Sequence, residues 1–403
     1  MLSIFGIPLE FMLFGLTLLG VAVLHRYALP IAVGGLLATI AFKLGYTGFD
    51  AGNGLPGLAL HFAHEWVTLV NLLLLLLGFS LLARHFEDSG VPAVLPAYLP
   101  DGWAGGFVLL VMVFVMSAFL DNIAAALIGG AMAHALFRGR VHIGFLAAIV
   151  AAANAGGAGS VIGDTTTTMM WIRGIAPVNV LHAYVAATVA LLVFGIPAAL
   201  QQHRWSPITA AAPPDARVDW ARLGIVAFVL VCAVTVNVVV NTRLPEVADQ
   251  FPFIGVAVAV SMLATLPMRI PDLTVIPAAF KGAVFLLSLV ASASLMPVEA
   301  LPAPTWQSAF GLGFVSAVFD NIPLTALALN QGGYDWGFLA YAVGFGGSMI
   351  WFGSSAGVAL SSLFPEARST GRWLREGWHV ALGYVLGFLA LLLTLGWQPH
   401  APG

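Results

Sequence analysis

Long runs of apolar residues, separated by short polar stretches, make up most of this chain. Ten of these runs approach the length of about 20 mostly apolar residues that a helix needs to cross a lipid bilayer. The pattern therefore predicts ten transmembrane helices near residues 9–24, 27–44, 67–82, 145–175, 178–200, 223–240, 253–266, 275–295, 338–363 and 380–397.

Two further apolar segments, 104–137 and 306–331, are each interrupted near the middle by an Asp-Asn pair, Asp121-Asn122 in the first and Asp320-Asn321 in the second. At 1.5 Å per residue the first would be about 50 Å long, too short for two crossings of a ~30 Å hydrocarbon layer. We therefore predict that each is a re-entrant hairpin, which enters and leaves the membrane on the same side. Irregular backbone is tolerated at membrane depth only where it is buried in protein or lines a wet cavity. The hairpin tips are thus the predicted location of the substrate.

The composition agrees with a membrane protein. Of the 403 residues, 60% are hydrophobic and only 8% are charged, and the mean hydropathy is +0.97. A water-exposed surface of ordinary charge density cannot be built from this composition, so the prediction is an all-α, multi-pass protein in contact with lipid. Cys232 is the single cysteine, which excludes a disulfide framework and a cysteine metal site. The first residues, MLSIFGIPLEF, lack a basic region and a cleavage site, so we expect the first apolar segment to insert without removal.

The predicted topology places most basic residues on one side of the membrane. If the first segment runs from outside to inside, twelve of the 15 Lys and Arg residues fall on the cytoplasmic side, and only Lys43, Arg173 and Arg243 fall outside. This positive-inside bias arises only if both interrupted segments are hairpins, which supports that prediction independently. The cytoplasmic residues are Arg26, Arg84, Arg138, Arg140, Arg204, Arg217, Arg222, Arg269, Lys281, Arg368, Arg372 and Arg375.

Two landmarks occur twice in the same order. SAFLDNI at 117–123 and SAVFDNI at 316–322 are each followed by a helix that begins Phe-Leu-Ala, at Phe145 and Phe338. Inside both helices a glycine pair precedes a further glycine by the same spacing, which predicts helices that are broken at the membrane midplane. The glycines are Gly156, Gly157 and Gly163 in the first helix and Gly346, Gly347 and Gly353 in the second.

The repeat predicts two units, 1–200 and 223–403, joined by a cytoplasmic linker, 201–222, that contains Pro213-Pro214. The first unit has an odd number of crossings, so the second should enter the membrane upside down. Inverted repeats with broken helices at the midplane are typical of secondary transporters.

The candidate chemistry lies where polar residues are forced into the apolar layer. An ionised carboxylate there is costly unless it is paired, so near neutral pH it is either protonated or holding a cation. A proton and a sodium ion cannot both satisfy one carboxylate, and their competition is itself an exchange mechanism. The remaining sodium ligands would be hard oxygens from side chains and from unwound helices. The intramembrane candidates are Asp121, Asp164, Asp320, Asn122, Asn154, Asn321, residues 165–168, Ser348, Ser354 and Ser355.

The stretch AANAGGAGSVIGDTTTTMMWI at 152–172 resembles the signature of NhaD-type sodium/proton antiporters, in the ion transporter superfamily that includes arsenite and citrate carriers. AYAVGFGGSMIWFGSSAGVA at 340–359 and the Asp-Asn-Ile hairpins are similar to that family too, and the similarity covers roughly 67–200 and 275–395. The resemblance implies an inner-membrane homodimer with a fixed scaffold and a moving transport domain. It implies that the hairpin tips act with residues of the two unwound helices, namely Asn154, Asp164, Thr166, Thr167, Ser348, Ser354 and Ser355.

Several candidates also have a purely structural interpretation. An Asp before Asn can cap the following helix, and Asp164 and Ser354 can do the same. Threonines can hydrogen-bond back to their own helix, so we expect no more than two as ligands. The HxxHE residues resemble a metal cluster but are predicted instead to lie in a solvated outer loop. A second polar cluster at the inner surface could relay protons, but it is predicted instead to form a solvated helix end. These two groups are His61, His64 and Glu65, and His85, Glu87 and Asp88.

The sequence is compatible with four functional classes: a sodium/proton exchanger, an anion carrier, an intramembrane protease and a cation channel. An anion carrier for carboxylates or arsenite would also use paired hairpins, but two tip carboxylates would repel its substrate and no Lys or Arg lies near either tip in sequence. An intramembrane aspartyl protease is disfavoured because its GxGD pattern is absent, and a cation channel on the same fold stays open. The prediction is a sodium/proton exchanger, not an enzyme, with no cofactor and no nucleic-acid partner. Sodium and protons would bind at the same site.

Overall fold

A computed structural model describes residues 3–4, 6–24, 27–94, 98–160, 163–208, 217–248 and 250–399. The protein is 77% helical, and within the described ranges six helical stretches are long and apolar enough to cross a membrane. The prediction of an all-α, multi-pass membrane protein is therefore confirmed at this level. The ten crossings and the same-side return of the hairpins stay predictions. Arg26, residues 161–162 of the glycine-rich stretch, and eight residues of the linker, 209–216, lie outside the described residues.

Seventeen α-helices of seven or more residues follow one another in the described part of the chain. In chain order they are α1 (Leu9–Val23), α2 (Ala28–Phe42), α3 (Gly54–Asp88), α4 (Trp103–Ser117), α5 (Asn122–Leu136), α6 (Ile143–Gly157), α7 (Thr165–Ile172), α8 (Ala183–Trp205), α9 (Trp220–Arg243), α10 (Phe253–Thr265), α11 (Ile276–Ser294), α12 (Trp306–Ser316), α13 (Asn321–Gln331), α14 (Trp336–Gly346), α15 (Ser355–Leu363), α16 (Thr370–Glu376) and α17 (Trp378–Leu395).

Short elements connect these helices. Two strands, β1 (Ser3–Ile4) and β2 (Ile7–Pro8), pair antiparallel before α1. The remaining elements are a π-helical turn at Lys43–Thr47, single α-turns at Val91–Val94, Val178–Leu181 and Pro245–Ala248, and 3₁₀ turns at Leu273–Val275, Val298–Ala300 and Pro365–Arg368.

Helix starts are marked by side chains that accept from free backbone N–H groups, as expected of good N-caps. Asp219 accepts from the first turn of α9, and Asp335 accepts from the first turn of α14. Thr305 and Ser308 form a reciprocal capping box at the start of α12. These polar caps set where apolar segments of otherwise uniform composition begin to be helical.

Helix α3 is much longer than the predicted segment 67–82. It runs for 35 residues, about 52 Å at 1.5 Å per residue, so it extends beyond the apolar run at both ends. The prediction that His61, His64 and Glu65 lie in a solvated loop is wrong, because all three are part of this helix. Glu65 is only 8% exposed, which an arginine partner makes possible.

The helices pack as two groups. The six-helix group consists of α1, α2, α3, α9, α10 and α11, which contact one another along their lengths. The eleven-helix group consists of α4 to α8 and α12 to α17, and its centre is formed by α6 and α14, in which every residue is buried. A helix that is apolar on all sides is expected at such a centre. The main contacts between the groups are those of α11 with α13, and of α3 with α7 and α5.

The same contacts occur twice around the two central helices. The hydroxyl of Ser117, at the end of α4, donates to the Ala153 carbonyl in α6 at 2.5 Å. The hydroxyl of Ser316, at the end of α12, donates to the Val343 carbonyl in α14 at 2.6 Å. Equivalent serines of SAFLDNI and SAVFDNI thus fix equivalent points of the two central helices.

Two glycines permit these close approaches. A Cβ added at Gly156 would lie 2.0 Å from the Phe114 carbonyl oxygen of α4, and one added at Gly346 would lie 2.3 Å from the Gly313 carbonyl oxygen of α12. Both distances are far below van der Waals contact, and the obstacle is backbone rather than a movable side chain. Helix pairs in membranes use small residues in this way to bring their backbones together.

We predict that Gly156→Ala and Gly346→Ala each lower thermal stability in detergent, because overpacking against a fixed backbone costs about 1–3 kcal/mol or more. Gly311→Ala is the matched control, since a Cβ at that α12 position would meet nothing within 4 Å. Its added helix propensity should leave the melting temperature unchanged or slightly higher. Equal melting curves for all three variants, measured by size-exclusion chromatography after heating, would contradict the packing argument.

Candidate functional site

Helices are interrupted at four places, namely the two Asp-Asn segments and the two glycine-rich segments, and these interruptions are called the breaks. Three aspartates and one serine occupy the N-cap positions of the helices that follow the four breaks. Asp121 precedes α5, Asp164 precedes α7, Asp320 precedes α13 and Ser354 precedes α15. Asp164 accepts from Thr166 N–H at 3.1 Å, and Asp320 and Ser354 also accept from their own first turns. Capping is therefore one role of Asp164, Asp320 and Ser354, whereas Asp121 occupies the cap position without a side-chain capping hydrogen bond.

Asn154, in the last turn of α6, joins the two halves of the chain. Its Oδ1 accepts from Asn122 Nδ2 at 3.0 Å. Its Nδ2 donates to the hydroxyls of Ser348 at 2.9 Å and of Ser354 at 3.0 Å. The side chain is fully buried, so these bonds are its replacement for water.

The carboxylates make further contacts between the breaks. Asn321 Nδ2 lies 3.4 Å from Asp164 Oδ2, a long hydrogen bond that joins the tip of the second interrupted segment to the first broken helix. The Ser355 hydroxyl donates to Asp320 Oδ2 at 2.9 Å. Polar residues predicted from separate motifs are thus brought together at one level of the molecule.

The threonine run divides into two kinds. Thr167 and Thr168 donate their hydroxyls to the Asp164 carbonyl at 2.9 Å, so both bond back to their own helix. Thr166, by contrast, is fully buried beside Gly344. A Cβ added to this glycine would lie 3.1 Å from Asp164 Oδ2 and 4.0 Å from Thr166 Oγ1. The Asp164 carboxylate and the Thr166 hydroxyl thus both lie against Gly344, whereas the Thr167 hydroxyl is turned to the backbone.

A cavity of about 340 Å³ lies between the two helix groups and reaches several of these residues. On the eleven-helix side its lining combines six polar residues with Ile123, Ala124, Leu127 and Ile322. On the other side α3 and α11 contribute mainly small and apolar residues. It continues to Arg84 and Glu87 at the C-terminal end of α3. Its polar lining at the chain breaks consists of Asp121, Asn122, Asp164, Thr165, Asn321 and Ser355.

Asp320 lines a second cavity of about 240 Å³, which is otherwise apolar apart from Ser355. Ser355 and Ile123 line both cavities, so the two spaces meet at the same pair of side chains. Other predicted site residues lie behind the cavity walls and support the lining residues. These buried supports are Asn154, Thr166, Thr167, Ser348 and Ser354.

The remaining glycines of the predicted breaks allow backbone segments to pack closely against one another. A Cβ added at Gly157 would lie 2.7 Å from the Gly163 carbonyl oxygen, and one added at Gly347 would lie 2.7 Å from that of Gly353. Gly163 and Gly353 in turn lie against the carbonyls at the ends of α4 and α12. The glycine repeat in the sequence thus corresponds to the same close packing in both breaks.

Sequence reasoning did not identify four residues that shape this region. Ser117 and Ser316 were part of the quoted repeats, and their recurrence before each Asp-Asn was the signal that could have found them. Arg84 lies at the mouth of the first cavity, where it is within 3.3 Å of carboxylate oxygens of Glu87, Asp88 and Asp272. No sequence pattern brings Asp272 to this position.

The second polar cluster is not a fully solvated helix end. His85 is 1% exposed, and its Nδ1 lies 3.0 Å from Arg222 Nη1 at the start of α9. The prediction of a solvated position is therefore wrong for His85, because α9 packs against this end of α3. Glu87 and Asp88 are partly exposed and paired with Arg84.

Comparison with known proteins agrees with a transport function. No family model matches the chain. It is 28% identical over 305 residues to Sodium/proton antiporter 1 of Arabidopsis thaliana, an alignment that covers 65% of this chain and 50% of the relative. It is also 28% identical over 301 residues to Sodium/proton antiporter 2 of the same plant, covering 65% of this chain and 69% of the relative. The chain thus spans about half the length of the first of these relatives, and both are distant homologues that are antiporters.

We predict that Asn154→Ala destabilises the protein more than an asparagine truncation elsewhere. The change removes the Asn154 partner of Asn122, Ser348 and Ser354, of which Ser354 keeps its bond to the first turn of α15, and each buried group left unsatisfied costs about 1–3 kcal/mol. The melting temperature in detergent measures the effect. Asn179→Ala, at a partly exposed turn, is the control. Similar melting temperatures for the two variants would mean that Asn154 does not join the breaks.

Proposed function

We propose that this chain is a secondary transporter that exchanges sodium ions for protons, with Asp121, Asp164 and Asp320 binding cation and proton alternately. The observation that carries the proposal is the cavity in which Asp121 and Asp164 face one space together with amide and hydroxyl side chains. Such oxygen atoms are the ligands that hard cations prefer. The two distant antiporter relatives support the same reaction.

The orientation of the two tip amides suits a cation. Asn122 Nδ2 donates a hydrogen bond to Asn154, and Asn321 Nδ2 donates one to Asp164. A side-chain amide has one donor end and one acceptor end, so both residues have the carbonyl Oδ1 left to offer a ligand. Together with the carboxylates, these oxygens form an electronegative set that supports cation binding.

The charge of the lining argues against an anion as substrate. Among the described lining residues of the first cavity the basic side chain is Arg84, and three carboxylates surround it at the mouth. An anionic carboxylate or arsenite-type substrate would meet Asp121 and Asp164 with no free cation beside them. Cation exchange is the function that these residues support best.

Exchange requires that the site open to each side in turn. The cavity containing Asp121 continues towards the C-terminal end of α3, the side that the basic residues predict to be cytoplasmic. We infer that this conformation is open inward. The separation into two helix groups supports a six-helix scaffold and an eleven-helix moving body. In the sequence, the helices of both groups are divided between two inverted repeats, 1–200 and 223–403. We propose that the protein works as a homodimer in a cell inner membrane.

Neutralising the carboxylates should abolish exchange. Asp121→Asn, Asp164→Asn and Asp320→Asn each keep side-chain size but remove the charge that binds sodium or a proton. In proteoliposomes with an internal pH dye, each variant should lose sodium-driven proton flux while the unmodified protein shows it. Asp101→Asn, at an exposed position before α4, should retain full flux. Wild-type rates in the Asp121 and Asp320 variants would overturn the site, and a dye response only with an added anion would favour the carrier alternative.

Competition between the two ions predicts a pH dependence. Lowering the pH by one unit should weaken apparent sodium affinity by at most about tenfold for each competing proton, because protons then fill the carboxylates. Maximal rate should change less. In weakly buffered detergent solution, sodium should release protons from the protein, and Asp121→Asn should reduce the number released. Sodium affinity that is independent of pH while exchange persists would mean separate sites for the two ions.

A further inference from the structure

A large polar space lies at the opposite end of α3 from the mouth of the first cavity. This vestibule has a volume of about 920 Å³ and is lined by residues that include Asp50, Glu65, Arg173, Glu299 and Asn330. Within the described lining the acidic side chains outnumber the arginine, so the vestibule has a negative field that attracts cations. Towards the carboxylate site the free space shrinks to a gap of about 10 Å³.

Arg173 stands at this constriction. It follows the last residue of α7, and it lines both the vestibule and the small gap. Met169, one helical turn before Arg173, lines the gap and is 2% exposed. A path from the vestibule through this gap towards Asp164, at the other end of α7, would therefore pass the Arg173 side chain.

A single nitrogen of Arg173 contacts three oxygen atoms. Its Nη2 lies 2.9 Å and 3.1 Å from the two carboxylate oxygens of Glu65, and 3.1 Å from Asn330 Oδ1. Glu65 belongs to the six-helix group, whereas Arg173 and Asn330 belong to the eleven-helix group. Asn330 also crosses between the groups, since its Nδ2 lies 3.4 Å from the Ala293 carbonyl of α11. The contacts close the seam between the two groups at one level.

We propose that Arg173 is the gate on the vestibule side and acts as a tethered cation. Its Nη2 occupies an oxygen cage, formed by Glu65 and Asn330, of the kind that an incoming monovalent cation would otherwise bind. Glu65 is nearly buried, and a buried carboxylate without a partner is strongly unfavourable. The gate therefore opens when another cation replaces Arg173 at Glu65, which ties opening on this side to the presence of the cation. The identity of that cation as sodium rests on the proposed function, whereas the gate itself does not.

A buried thiol below the gate reports on its closure. In a Cys232→Ser background, Met169→Cys should react slowly with a membrane-impermeant thiol reagent added from the vestibule side. Arg173→Ala and Glu65→Gln should each raise the rate about tenfold or more, because each breaks the ion pair. Arg173→Lys should give an intermediate rate, since lysine keeps the charge without the planar fork. Arg243→Ala, an exposed arginine at the end of α9, is the control and should leave the rate unchanged.

Two further measurements separate a gate from a structural contact. The exchanged pair, Glu65→Arg with Arg173→Glu, should restore slow labelling, whereas a general loss of packing would not be rescued. Sodium in the labelling medium should raise the rate of the Met169→Cys protein that keeps Arg173, because a free cation then replaces the guanidinium at Glu65, and it should leave the already fast rate of Arg173→Ala with Glu65→Gln unchanged. Unchanged labelling in both Arg173→Ala and Glu65→Gln would overturn the gate. The labelling rate tests the gate without an ion gradient, and the exchange assay tests the proposed function. Absence of exchange in the unmodified protein would therefore contradict the proposed function but not the gate.

Discussion

The need to satisfy backbone groups at membrane depth governs this structure. Lipid offers no hydrogen-bond partners, so each place where a helix stops inside the molecule needs a protein partner for its free N–H and C=O groups. The four breaks answer this need in matched ways. Asp164, Asp320 and Ser354 accept from the first turns that follow them, and Ser117 and Ser316 donate across to the central helices. The same requirement concentrates carboxylates, amides and hydroxyls at one level, where we propose the cation site.

Periodicity and composition predict much of the fold because the membrane simplifies the problem. The apolar runs correspond to the observed helices, and the Asp-Asn pairs and glycine repeats mark the observed breaks within a few residues. The length of α3 was not predictable in this way. Its first turns contain His61, His64 and Glu65, which resemble a solvated loop until Arg173, more than 100 residues later, supplies a partner for Glu65.

The candidate site is only partly readable from the sequence. Asp121, Asn122, Asp164 and Asn321 were identified by their polarity within apolar runs, and all line the first cavity. The direction of a hydroxyl depends on tertiary packing, so the sequence could not separate Thr166 from Thr167. Similarly, nothing in the sequence indicates that Asp320 faces a different space from Asp121, because that depends on how α1, α2 and α11 pack around the second tip.

Helix α7 gives the site and the vestibule a direct mechanical connection. Asp164 caps its N-terminus and Arg173 follows its C-terminus, so opposite charges lie at the two ends where the helix dipole favours them. With eight residues the helix is about 12 Å long, and its first seven residues are buried, which makes it a short rigid rod. Movement of α7 as a rigid body would shift the Asp164 end and the Arg173 end together, whereas rotation of the Arg173 side chain alone would break its contact with Glu65 and leave Asp164 in place. In the proposed cycle, rigid-body movement of α7 would couple occupation of the carboxylate at one end to release of the arginine at the other through one element rather than through a long chain of contacts.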